Sequence, residues 1–142
     1  MKCYAVIDTN VLVSSLLSKY DTSATSQVVF RALLGEIVPV YSNEILAEYR
    51  EVLSRKKFKF PLEQVRYLLK AIEEHGIFAK PIQTGIELTD MKDLPFYEVV
   101  VAKRSDGNYG DTYLVTGNIK HFPTEDFIVT ARQMINILDG KQ

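Results

Sequence analysis

The chain has 142 residues, 46% hydrophobic and 25% charged, with a formal net charge of −1 and one cysteine, Cys3. These proportions exclude a disordered or low-complexity chain, and a lone cysteine excludes an internal disulfide and any cysteine-based metal cluster. The overall charge lacks the basic excess of dedicated nucleic-acid binders, although cations gather locally at Arg55, Lys56, Lys57 and Lys59, at Lys103 with Arg104, and at Lys120 with His121.

Lys2 to Ile7 predicts a short buried strand, stopped by Asp8, Thr9 and Asn10. Its apolar run, Tyr4 to Ile7, is too short for a signal peptide, and no stretch approaches the length of a membrane span. The expectation is therefore one reduced, cytoplasmic domain over residues 1–142. Val11 to Leu17 reads as the start of a helix. A second spans Ser23 to Leu34, with Val28, Val29, Ala32 and Leu33 at helical spacing and Gly35 as its stop. Val38 to Tyr41 reads as a strand, and Ser42 caps a helix running to about Ser54. Pro61 opens a helix over Leu62 to His75, which Gly76 closes. Ile77 to Ile82 predicts a third strand. Asp93 caps a helix over Phe96 to Lys103, and Ser105 to Gly110 forms a loop. Strands follow at Thr112 to Thr116 and Phe127 to Val129. Thr130 with Gln133 makes a capping box for the last helix.

Strands alternating with helices predict an α/β/α sandwich around a parallel sheet. In such sheets function gathers beyond the carboxyl ends of the strands. Asp8 lies past the first strand, the Ser42 helix with Glu44, Glu48 and Glu51 past the second, and Asn118 past the fourth. Asp93 stands ahead of that fourth strand. Acids brought together there repel unless a cation joins them, and hard oxygen donors suit Mg²⁺ or Mn²⁺. Each has a plainer alternative. Asp8 and Asp93 are also N-cap candidates, and Asp90 rivals Asp93. In the Ser42 helix, Ile45, Leu46, Tyr49, Val52 and Leu53 form one apolar stripe. Glu48 lies about 40° from Val52, whereas Glu44 and Glu51 sit about 80–100° from it. Glu48 is thus the acid at the rim of the buried face, and Glu51 is placed to pair with Arg55 at i+4.

Other polar groups read more simply. Asp111 falls at the amino end of its strand, away from the acids, and His75 and His121 have no zinc-ligand spacing. Arg55, Lys56 and Lys57 are either a solvated helix end or a phosphate-holding run beside the acids. Tyr20, Tyr49, Tyr67 and Phe58 are at spacings that favour the core over base stacking.

Four segments together resemble the PIN-domain family: Tyr4 to Leu12 (YAVIDTNVL), Ser42 to Tyr49 (SNEILAEY), Asp90 to Phe96 (DMKDLPF) and Tyr113 to Asn118 (YLVTGN), running on to Lys120-His121-Phe122. The best match is the subgroup of toxin components of toxin–antitoxin systems. The resemblance implies a PIN-like α/β/α sandwich and a Mg²⁺- or Mn²⁺-dependent ribonuclease. It maps the family's acids onto Asp8, Glu48 and Asp93, with Thr9, Asn10 and Thr116 supporting them. The fourth position, usually Asp, is Asn118, which brings no charge. An RNA substrate, a small antitoxin partner and a homodimer are also implied. The alternative is a degenerate PIN domain that binds RNA or protein without cleaving. A phosphatase of the haloacid-dehalogenase type would need a second Asp where this chain has Asn10. A response-regulator receiver would need an acid pair after the first strand and a lysine after the fifth, and neither is evident.

Overall fold

A computed structural model describes residues 3–107 and 111–140; Lys2 and the last three residues of the expected 105–110 loop lie outside it. The elements in chain order are β1 (Cys3–Ile7), α1 (Thr9–Leu17), α2 (Ala24–Leu33), β2 (Ile37–Tyr41), α3 (Asn43–Leu53) and α4 (Leu62–His75), then β3 (Ile77–Phe78), α5 (Leu94–Arg104), β4 (Thr112–Val115), β5 (Ile128–Val129) and α6 (Ala131–Leu138). Single 3₁₀ turns cover Met91–Asp93 and Ile119–His121.

The five strands form one parallel sheet in the order β3-β2-β1-β4-β5. Tyr4 lies opposite both Val38 and Thr112, and Ile7 opposite Val115. β1 is central and buried on both faces, which is why it reads as a continuous apolar run (Ala5, Val6 and Ile7 are nearly inaccessible). One face is covered by α5, packed on β1, β2 and β4, with α3 beside it. On the other, α2 packs on β2 and carries α1, α4 and α6 against it. The result is the expected three-layer α/β/α sandwich. From β1 the chain winds outward through β2 to β3, then returns to the opposite side of β1 for β4. The switch point therefore falls between the carboxyl ends of β1 and β4, where such folds open a crevice.

Local chemistry explains the helix ends. Ser23 Oγ accepts the Ser26 N–H at 3.2 Å and Ser42 Oγ accepts the Ile45 N–H at 3.3 Å. Thr130 and Gln133 form the reciprocal capping box at 3.1 and 2.9 Å. Gly35 ends α2 with a φ of 85°, where other residues are disfavoured. Tyr49, buried on α3, donates its hydroxyl to the Ile7 carbonyl and so ties this helix to the end of β1. Removing that donor in Tyr49→Phe is expected to cost about 1–3 kcal/mol in urea denaturation. A variant as stable as the parent would show that the bond carries no net weight.

Three expectations need correction. The third strand stops at Phe78, not Ile82. It is an exposed edge strand whose last bond to β2 is Ala79 N–H to Tyr41 O, and Pro81 offers no N–H to continue. Asp93 does not cap α5 with its side chain, its backbone being already helical; the capping carboxylate in this segment is that of Asp90, which accepts the Lys92 N–H at 3.0 Å and caps the preceding Met91–Asp93 turn. Tyr20 and Tyr67 are exposed, not in the core, at 72% and 68%. No helix among the described residues is long and apolar enough to cross a membrane.

Candidate active site at the carboxyl edge of the sheet

Asp8 leaves β1 with its N–H bonded to the Val115 carbonyl at 2.9 Å, and its own carbonyl accepts the Val11 N–H at 3.0 Å. Its side chain is therefore held at the switch point, only 3% of the residue being accessible. Oδ2 accepts from Thr116 Oγ1 at 2.7 Å and from Asn10 Nδ2 at 3.1 Å. Asn10 Oδ1 in turn accepts the Gly117 N–H at 3.0 Å, and Thr116 Oγ1 accepts the Asn118 N–H at 3.0 Å. These bonds link the carboxyl ends of β1 and β4. At Gly117 a Cβ would come within 3.2 Å of Asn10 Oδ1, so a side chain there would press on this network.

The neighbouring acids arrive from two other elements. Glu48, half-buried on α3, accepts a hydrogen bond from the Thr9 hydroxyl. Asp93, at the start of α5, has its Oδ2 3.1 Å from His121 Nδ1, with side-chain exposures of 15% and 38%. An ionised carboxylate only accepts, so Nδ1 carries the proton in that bond.

The electrostatics join the three. Burial pushes the Asp8 carboxyl up from 3.8 to about 6, opposed by the Thr116 hydrogen bond; the charges of Asp93 and then Glu48 push further in the same direction. Asp93 is raised too, first by burial and then, against the His121 hydrogen bond, by Asp90. Among the described residues no lysine or arginine is among the groups that set the charge of Asp8. The crevice therefore gathers carboxylates around Asp8 with no lysine or arginine among the described residues offsetting its charge, while His121 faces Asp93.

The donor chemistry decides what cation fits. Among the described residues no group of three or more His, Cys, Asp or Glu side chains is placed to hold a metal ion by itself. Mg²⁺ seldom needs one: it keeps several waters and takes one or two carboxylates plus substrate phosphate. Carboxylate oxygen donors match that habit, and Mn²⁺ shares it. The residues fit a hydrated ion of this class.

Other expected site residues fall differently. Asn118 is exposed and joins the network through its backbone N–H. Glu44 and Glu51 are exposed, and Glu51 pairs with Arg55 at 2.8 Å. Arg55 follows the end of α3, seven residues beyond Glu48, or roughly 10 Å farther along an axis that leads away from the crevice. Lys57 lies 5.1 Å from the Phe58 ring centroid. No contact among the described residues brings Arg55, Lys56 or Lys57 to the acids. Asp111 acts on Cys3 at the amino end of β1, far from the crevice. His121, which has no zinc-ligand spacing, is the site residue that the spacing rules pass over. Its partner is 28 positions away across loops, and no spacing rule signals such a pair.

A family model described as PIN domain matches residues 4–120, which takes in every residue of this crevice except His121. No curated protein and no solved structure matches the chain.

Proposed function

The chain belongs to the PIN-domain family, and from that premise we propose that it is a Mg²⁺- or Mn²⁺-dependent endoribonuclease acting as the toxin of a toxin–antitoxin pair. PIN domains are generally nucleases. The observation that carries the metal-dependent reading is the place of Asp8 at the switch point, raised to about 6 with the charges of Asp93 and Glu48 acting on it and, among the described residues, no lysine or arginine offsetting them.

In this reading Asp8, Glu48 and Asp93 hold the ion, directly or through waters. When bound, the ion supplies Lewis acidity, lowering the pKa of water and offsetting charge on the phosphodiester. The remaining work belongs to the chain. Thr116 and Asn10 hold Oδ2 of Asp8 and leave its other oxygen for the cation. The Thr9 hydroxyl fixes Glu48 against the start of α1. Asn118 supports Thr116 through its N–H and adds no charge. An antitoxin protein and a second copy of the chain are the partners this role entails.

Purified protein is tested on mixed RNA with Mn²⁺ or Mg²⁺ and with excess chelator. Cleavage with either ion and none with chelator is expected. A second reading, a PIN domain that binds RNA or protein without cutting, is favoured by the lack of a ready three-ligand group among the described residues and by the uncharged Asn118. RNA bound but left intact with both ions would establish it and overturn the nuclease.

A further inference from the structure

We propose that His121 is a positioning residue: its imidazole fixes the Asp93 carboxylate for a divalent cation. The inference rests on the metal-dependent reading of the crevice.

Asp93 sits where the Met91–Asp93 turn passes into α5, with helical backbone and no capping bond from its side chain. No capping bond to α5 therefore holds its side chain. The bond to His121 Nδ1 at 3.1 Å does so from outside. His121 is itself well anchored. Its N–H donates to the Asn118 carbonyl at 2.9 Å, the next N–H donates to Ile119 at 3.2 Å, and that next residue, Phe122, is buried. The imidazole is thus presented from a turn pinned into the core.

One carboxylate oxygen of Asp93 is tied to the ring, and in this proposal the second binds the cation. A carboxylate held at one oxygen loses less freedom when the other binds an ion. Disrupting such supporting bonds commonly costs about 10–100-fold in metal affinity. The dependence is sharpened here because Asn118 adds no charge, so the crevice relies on three acids, one of which is Asp93. The segment after β4 then contributes an imidazole that orients an acid from another element.

Calorimetric titration with Mn²⁺ on the full chain tests this, with metal-free melting temperatures measured alongside. His121→Ala is expected to bind Mn²⁺ about 10-fold or more weakly. His121→Asn restores binding most of the way, because its Nδ2 extends from Cγ as Nδ1 does and keeps a donor in place. In an Asp93→Asn background, His121→Ala causes no further loss, since the two act as one unit. If His121→Ala does not fold, His121→Phe, which keeps a ring without a donor, replaces it in each comparison. A His121→Ala protein that binds Mn²⁺ as tightly as the parent overturns the inference alone. An undiminished further loss in the Asp93→Asn background does the same, by placing the histidine's effect elsewhere. A parent protein that takes up no Mn²⁺ overturns the metal-dependent reading, and the role of His121 with it.

Discussion

Asp8→Asn is expected to do two opposite things: remove metal-dependent RNA cleavage and stabilise the metal-free fold. The first follows from taking a charged oxygen donor out of the crevice. Loss of a mere supporting partner costs about 10–100-fold, so loss of a ligand should cost at least about 100-fold in cleavage rate. The second follows from the environment of Asp8. Its carboxyl titrates at about 6 when folded, against an ordinary value of 3.8. A raised carboxyl binds its proton more tightly in the native state than in the unfolded one. Its contribution to stability is therefore fully present below about 3.8 and is lost as pH rises through about 6. At pH 7 the ionised group costs up to about 3 kcal/mol, taking about 1.4 kcal/mol per pKa unit.

Asparagine removes that cost and keeps an oxygen to accept from Thr116 and Asn10. Urea denaturation without metal should show Asp8→Asn more stable than the parent by about 1–3 kcal/mol at pH 7, the difference shrinking towards pH 4. Adding Mn²⁺ should narrow the gap at pH 7, because the ion stabilises only the parent's charged site. A variant less stable than the parent at pH 7 would show that the crevice does not strain the ionised acid.

Gly76→Ala is expected to lower stability by about 3 kcal/mol or more. The reason is space, since φ is −96° and the backbone is ordinary. A Cβ there would lie 2.4 Å from the Ile72 carbonyl oxygen and 2.6 Å from that of Pro39, with the Tyr41 ring at 3.1 Å. Both oxygens are backbone, one in the last turn of α4 and one in the middle of β2, so no side-chain rotation relieves the clash. The helix end must separate from the strand. Because β2 leads directly into α3, which carries Glu48, cleavage should fall as well. Thermal melting indistinguishable from the parent would mean that the end of α4 does not pack this closely on β2.

What the sequence reveals and what it hides divide along physical lines. Helix ends are legible where a cap sits within three residues of what it caps, as at Ser42 and Thr130. The place of Glu48 is legible because a helix converts spacing into angle, and the rim of a buried stripe can be computed. The same arithmetic puts Tyr67 about 200° from Val65 and Leu69, which explains its exposure. That Asp8 and Thr116 lie at the same edge follows from a parallel sheet, which the alternation of elements implies; that β1 and β4 are neighbours is supplied by the structure. The length of β3 does not follow, because an edge strand ends where pairing stops and not where apolar residues run out. Nor does the Asp93–His121 pair, which depends on how two 3₁₀ turns are set against each other. Arg55 looks close to Glu48 in sequence yet is carried away by the helix between them.

Crystals grown with Mn²⁺ and measured by anomalous scattering test most directly whether the three acids share a cation. The expected result is a peak at bonding distance from an Asp8 oxygen, with Glu48 and Asp93 reaching the same ion directly or through waters. Protein that cleaves RNA with Mn²⁺ but shows its only peak away from Asp8 would contradict it.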